Sequence, residues 1–206
     1  MTEFESLMRG PENLCEVGTK LTEFIGTTEI RNFEGCELIN NEQLVNYLNE
    51  TIPSSHLEGC PSIEFDPENL LFTEYPDCLG FYECGSRAIY LAGEERFPDG
   101  TEGLKDTIIH EIGHNAYAGI VEYNQELAAK WEALNAESWQ KVLTEGTGFV
   151  SDYAMTNKYE DFAESYMTYV RDPERLQIMN SEKYDFMREH LFSGREYLPS
   201  NLAYLD

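Results

Sequence analysis

Positive charge is scarce in this chain. Its 206 residues include 14 Lys and Arg against 39 Asp and Glu, and the formal net charge is −25. A field of this sign repels phosphate backbones and anionic lipid headgroups. We therefore expect neither nucleic-acid nor membrane binding, whereas a neutral or basic peptide is compatible with such a charge. The alternative interpretation is that the charge serves solubility alone.

Long apolar runs are absent as well. No segment approaches the roughly 18 apolar residues of a membrane span, and residues 1–5 lack the basic and apolar regions of a signal peptide. The expected location is the cytoplasm, or outside the cell if a signal was removed upstream. A hydrophobic content of 41% with 13% aromatics fits a single globular domain over residues 1–206.

Cysteine is limited to five residues, and none has the CxxC spacing of a structural zinc site. All five precede residue 85: Cys15, Cys36, Cys60, Cys78 and Cys84. Buried free thiols are the simpler interpretation. In an oxidising compartment, two disulfides with one free thiol are the alternative, and Cys78 with Cys84 could then close a hairpin.

Histidine is the scarcest chemically active residue, yet two of the four lie in one motif, HEIGH at 110–114. On a helix, His110 and His114 share one face, so both can bind one Zn²⁺ while Glu111 lies beside its open position. A turn at 98–100 and an apolar stripe after it favour a helix here. Asp99 or Thr101 is the expected cap, and Gly119 the expected end.

A zinc site of this type needs a third protein ligand. The metzincin pattern requires a histidine where this chain has Ile120. His56 and His190 have no motif around them and are expected to be surface or half-buried residues. A downstream carboxylate is therefore expected. The candidates are Glu122, Glu126, Glu132, Glu137, Glu145 and Glu160.

One candidate belongs to a pair. A helix is predicted to run from Glu160 to about Val170 and to end at 172–173, so Glu160 and Glu164 share a face of a largely apolar helix. Two such carboxylates are costly to bury unless each has a partner. A zinc ion and a ligating imidazole would be suitable partners. The alternative is a solvated acidic face.

Together, HEIGH and the spacing Tyr153, Glu160, Glu164 resemble the catalytic core of the anthrax lethal factor-like gluzincin metalloproteases. The 46 positions from His114 to Glu160 also fit that family, and the resemblance covers about residues 86–170. It implies that His110, His114 and Glu160 bind zinc. It also implies that Glu111 is the base, Tyr153 an electrophilic helper, and Glu164 a support for one imidazole.

The resemblance further implies an α+β, zincin-like fold. This fold has a small mixed sheet with an upstream edge strand, an active-site helix carrying HExxH, and a mainly helical C-terminal half. We expect an N-terminal α/β lobe over about 1–118 and a helical lobe over about 119–206. In zinc proteases of this type an edge strand binds the extended substrate through its backbone. The corresponding residues are Ala88, Ile89, Tyr90 and Leu91.

Periodicity and turn residues predict the remaining elements. Helices are expected at 12–26, 42–48, 122–143 and 181–192, the last one capped by Ser181. Strands are expected at 62–65 and 70–72. The segments 80–84 and 87–92 should pair as a hairpin.

The expected activity is that of a monomeric zinc endopeptidase that hydrolyses peptides or proteins. A non-catalytic zinc- or peptide-binding protein on the same fold is the alternative from another class. An aminopeptidase is a narrower alternative, although no sequence for anchoring a substrate amine is evident. A thermolysin-like site is weaker, since Leu134 stands where its glutamate is expected and Glu137 is a poor substitute.

Overall fold

The computed structural model describes residues 23–196. This part of the chain is mixed α+β, with one small sheet and a helical majority. The strands are β1 (Glu23–Ile25), β2 (Thr28–Arg31), β3 (Ser62–Phe65), β4 (Gly80–Tyr82) and β5 (Ile89–Leu91). The helices are α1 (Asn41–Thr51), α2 (Leu70–Glu74), α3 (Gly100–Ala116), α4 (Gln125–Glu145), α5 (Lys158–Arg171), α6 (Pro173–Met179) and α7 (Ser181–Phe186).

The five strands form one sheet in the order β1-β2-β3-β5-β4. The pairs β1–β2 and β5–β4 are antiparallel, whereas β2–β3 and β3–β5 are parallel. The strand β4 therefore lies at one edge of the sheet, with β5 inside it. The predicted hairpin and the predicted strand 62–65 are confirmed.

The helix α3 crosses the core between the sheet and α5. Its Ile108, Ile109 and Ile112 are fully buried, in one cluster with Ile63 and Ile89 of the sheet. On the side facing α5, a Cβ added to Gly113 would lie 3.0 Å from the Ala163 Cα atom. Because Gly113 has no side chain, the two helices approach closely at the level of the histidines.

Several predicted elements differ from the structure. The segment 70–72 is helical rather than extended, because the Asn69 side chain accepts a hydrogen bond from the Leu71 N–H and begins α2. The predicted helix 12–26 lies mostly outside the described residues, and its last part, Glu23–Ile25, is strand β1. The predicted helices 42–48 and 122–143 correspond to α1 and α4.

The predicted helix ends were less accurate. Asp99 precedes α3 without a capping hydrogen bond, and the Thr101 hydroxyl donates to the Leu38 carbonyl instead. Gly119 does not end the helix, since a π-helical turn continues over Tyr117–Val121. The last predicted helix is α7 followed by a π-helical turn, and its cap is Asn180 rather than Ser181.

The two histidines outside the HEIGH motif differ in burial. His56 is buried, not half-exposed, and its ring bonds to the Tyr166 hydroxyl and the Leu191 carbonyl. His190 is half-buried, as expected.

Cys36, Cys60, Cys78 and Cys84 are free thiols, the first two buried, while Cys15 lies outside the described residues. No helix within residues 23–196 is both long and apolar enough to cross a bilayer.

Candidate metal centre and cleft

The two histidines of the HEIGH motif lie on one face of α3 and meet Glu160 from α5. The Nε2 atoms of His110 and His114 are 3.2 Å apart. Glu160 Oε2 lies 3.1 Å from the first and 3.3 Å from the second. His110, His114 and Glu160 therefore form a group that could hold a metal ion.

The spacing of these three atoms fits a small tetrahedral ion. Zn–N and Zn–O bonds of about 2.0–2.1 Å place the ligand atoms of a tetrahedron about 3.3 Å apart. The three measured separations lie within a few tenths of an ångström of that value. Two imidazoles and one carboxylate also form a ligand set that leaves a fourth position open.

The position of Glu160 follows from the capping of its helix. Asn157 has extended backbone, and its side-chain oxygen accepts hydrogen bonds from the N–H groups of Tyr159 and Glu160. This cap fixes the first turn of α5 and so the direction in which Glu160 points. Glu164, one turn later, lies on the same face.

Glu164 supports the other side of the His110 ring. Its Oε1 atom is 2.8 Å from His110 Nδ1, an arrangement that places the Nδ1 proton on this bond and leaves Nε2 as the ligand atom. In the metal-free protein, burial lowers the pKa of His110, but the hydrogen bonds to Glu160 and Glu164 outweigh it and raise the pKa to about 10.

Glu111 lies beside the cluster and is buried. Burial raises the pKa of its carboxyl group, against the effect of the two neighbouring histidines. The backbone N–H of Tyr82, in the edge strand β4, lies near this carboxylate and lowers its pKa slightly. The edge strand and the HExxH helix therefore lie side by side near Glu111.

Tyr153 stands at the mouth of the site. It opens a short 3-10 helix (Tyr153–Met155), is 55% exposed, and its ring centre lies 5.8 Å from that of His110. Tyr153 is thus not a core tyrosine. Partial burial of the hydroxyl group and the charges of the neighbouring Glu160 and Glu111 carboxylates raise the pKa of Tyr153 to about 12, so the phenol keeps its proton.

Ser151 is a site residue that sequence reasoning missed. Its hydroxyl donates to Glu164 Oε2 at 2.5 Å and accepts from the Ala154 N–H at 3.1 Å. Ser151 therefore joins the glutamate that supports His110 to the turn that carries Tyr153. Its position in the Gly-rich connection, two residues before Tyr153, is the one sequence feature that points to it. The sequence does not reveal its partner, because Glu164 lies 13 positions farther along the chain.

A buried ion pair anchors the same connection farther back. The Lys183 ammonium group lies 2.5 Å from Asp161 Oδ1, and both side chains are almost fully buried. Lys183 and Asn180 also donate to the Gly148 carbonyl, each at 3.1 Å. Asp161 directly follows Glu160, so this network ties the loop before Tyr153 to the helix carrying the metal-binding glutamate.

Two cavities meet at the cluster and form one cleft beneath β4. Both are lined by Cys78, Gly80, His110, Glu111 and Tyr153. One, of about 310 Å³, extends toward the N-terminal side of the HExxH motif, and we call it the acidic cavity. The other, of about 510 Å³, extends toward the C-terminal side, and we call it the aromatic cavity. The aromatic cavity is lined by Phe81, Tyr82, Tyr117, Tyr153 and Tyr159 among others.

The strand expected to bind substrate is not at the edge. Ala88, Ile89, Tyr90 and Leu91 lie in or next to β5, which pairs with β3 on one side and β4 on the other. Their backbone groups are therefore not available as a sheet edge. The edge is β4, whose Phe81 pairs with Tyr90 while the N–H of the adjacent Tyr82 points to Glu111.

The other candidate ligands lie apart from the cluster. Among residues 23–196, the only group with metal-binding spacing is His110, His114 and Glu160. Glu137 is exposed on α4. Glu122 reaches the wall of the aromatic cavity but not the cluster.

Compared with known proteins, the chain matches no family model and no curated sequence.

Proposed function

We propose that this protein is a zinc-dependent metallopeptidase of the anthrax lethal factor-like gluzincin type, most simply an endopeptidase. The single observation that carries the proposal is the meeting of His110, His114 and Glu160 at tetrahedral spacing, with Glu111 buried beside them. Zinc suits two imidazoles and one carboxylate, whereas Ca²⁺ prefers oxygen ligands throughout.

Bound zinc would supply a Lewis acid that lowers the pKa of water toward neutrality and polarises a carbonyl group. Glu111 takes the proton of the attacking water and delivers it to the leaving amine. The Tyr153 hydroxyl, which stays protonated, donates a hydrogen bond to the carbonyl oxygen as negative charge develops there. Glu164 holds His110 in the tautomer that presents Nε2.

The edge strand β4 supplies the substrate-binding backbone in place of the residues first expected. An extended peptide pairs with such an edge by β-augmentation, and antiparallel pairing is the more frequent arrangement. The strand runs from the acidic cavity, lined by Leu79, to the aromatic cavity, lined by Tyr82. A peptide antiparallel to β4 therefore places its residues before the scissile bond at the aromatic cavity and those after it at the acidic cavity.

A cleft that is continuous on both sides of the cluster favours an endopeptidase over an aminopeptidase, because both directions leave room for substrate residues. The candidate from another class is a non-catalytic zinc- or peptide-binding protein. The placement of Glu111 and Tyr153 around the same open position favours catalysis, since metal or peptide binding alone requires neither group.

Cleavage of a diverse peptide library, read by mass spectrometry, tests the proposal. The zinc-loaded wild type is compared with Glu111→Gln, which retains the three ligands. We expect cuts that only the wild type makes and that a chelator stops. A protein that holds one tightly bound zinc ion and makes no Glu111-dependent cut in any peptide would support the binding-protein alternative.

A further inference from the structure

We infer that the acidic cavity binds a lysine or arginine side chain of the substrate, on the C-terminal side of the scissile bond. The inference deepens the proposed function and rests on it for the direction of the peptide. It is carried by the position, walls and charge of the cavity.

The position of the cavity relates it to the proposed chemistry. His110 and Glu111 line it, together with Asp106 and Thr107 one turn earlier on α3. It is therefore a branch of the same cleft, sharing the ligand His110 with the cluster, and not a separate patch of surface acids. A peptide held along β4 can direct a side chain into it.

The walls of the cavity combine apolar surface with carboxylate groups, which suits a long basic side chain. Leu79 and Met167 supply apolar surface, against which the methylene groups of lysine or arginine can pack. Four carboxylates also line it, those of Asp77, Asp106, Glu111 and Glu164, with no lysine or arginine among the described lining residues.

Two of these carboxylates are available to a substrate cation. Glu111 and Glu164 are engaged at the metal centre, but Asp77 is exposed at the mouth. Asp106 accepts a bond from Arg171 Nε through Oδ1 at 2.6 Å. That guanidinium also bonds to Glu102 and Tyr47. Burial raises the pKa of Asp106 despite Arg171, and a second cation nearby would favour the charged form of this carboxylate.

The test compares matched peptides that differ only at the residue expected to enter the cavity. Lysine and norleucine have similar length and differ chiefly in the charged end. For the wild type we expect kcat/KM to be about tenfold or more higher for the lysine peptide. Asp77→Asn should reduce this ratio several-fold, and Asp77→Lys should shift the preference toward a glutamate peptide. Asp185→Asn, an exposed change on α7, is the matched control and should leave the ratio unchanged.

A binding measurement keeps the inference testable without turnover. The zinc-loaded Glu111→Gln protein is titrated with N-acetyl-lysinamide or N-acetyl-norleucinamide, and the resonances of Leu79, Thr107 and Met167 are followed by NMR. Shifts that only the lysine compound produces, and that Asp77→Asn weakens, would support the inference. Equal response to both compounds, or equal cleavage of both peptides, would overturn it. Selective binding with no Glu111-dependent cleavage would overturn only the proposed peptidase activity.

Discussion

Glu164 Oε1 lies 2.8 Å from Nδ1 of His110, and this contact leaves Nε2 of the same ring facing Glu160 and His114. One carboxylate of α5 thus supports the imidazole while the other completes the ligand set. The two carboxylates have different roles, because a neutral imidazole has one donor and one acceptor nitrogen. The hydrogen bond to Glu164 makes Nδ1 the donor and leaves Nε2 as the acceptor.

The first prediction concerns this supporting contact. Glu164→Ala should weaken zinc binding by about 10–100-fold, because the ring loses the partner that fixes its orientation. Competition with a fluorescent chelator measures the affinity. Glu160→Ala, which removes a ligand, should cost more, and Glu137→Ala on the exposed side of α4 should cost nothing. Wild-type affinity in Glu164→Ala would contradict the role assigned to this contact.

The second prediction concerns Tyr153. Tyr153→Phe removes the hydroxyl but keeps the ring beside His110. We expect kcat to fall by about 10²-fold with little change in KM, because a donor that acts on developing charge stabilises the transition state selectively. Steady-state kinetics on a peptide from the library distinguish the two constants. Tyr159→Phe, a change in the same aromatic cavity, is the control. An unchanged kcat in Tyr153→Phe would remove the phenol from the mechanism.

The local part of the site could be read directly from the sequence. The spacing of His110 and His114 determines that they share a helix face, whatever surrounds them. Glu160 was different, because it lies 46 positions after His114 and six glutamates were eligible on residue type alone. Resemblance to a known family selected it. The structure brings it to the histidines through the close approach of Gly113 and Ala163.

The errors arose where distant parts of the chain decide the outcome. The choice between β4 and β5 as the edge depends on β3, which pairs with β5, and a hairpin sequence does not reveal which of its strands has another neighbour. The prediction of a strand at 70–72 is wrong, because three apolar residues fit a strand and a helical turn equally well. Gly119 suited a helix end by type, but its helix continues into a π-helical turn.

The third prediction concerns the contact between α3 and α5. Gly113→Ala should destabilise the fold by about 1–3 kcal/mol, because the new methyl group would lie 3.0 Å from the Ala163 Cα atom and 3.3 Å from the Tyr166 Cβ atom. Urea denaturation measures the change. Gly103→Ala in the same helix is the matched control, since its methyl group would meet only the Asp99 side chain at 3.3 Å. There the higher helix propensity of alanine should leave stability unchanged or improve it. Equal effects of the two changes would show that the approach at Gly113 is not tight.

The fourth prediction is a pH dependence of stability. Burial lowers the pKa of His56 from 6.5 to about 4, while its bond to Leu191 opposes this shift. Between these two values the unfolded chain binds a proton that the folded protein does not. The stabilising contribution is therefore complete above about pH 6.5 and is lost as the pH falls toward 4.

The shift corresponds to about 3 kcal/mol. Unfolding free energies of wild type and His56→Gln, measured from pH 7 to 4, should converge as the pH falls. His190→Gln, at a half-buried position, controls for the loss of a histidine as such. A constant difference between wild type and His56→Gln across this range would contradict the prediction.

The cap at Asn157 has a consequence for how this sequence can vary. Successive residues of a helix are rotated by about 100°, so one residue inserted between Asn157 and Glu160 would turn both glutamates away from the histidines. An insertion near Gly146, in the loop before Asn157, would not rotate α5 relative to its cap. Insertions and deletions in natural variants should therefore accumulate upstream of the loop that Lys183 anchors, while the count from Asn157 to Glu164 stays constant.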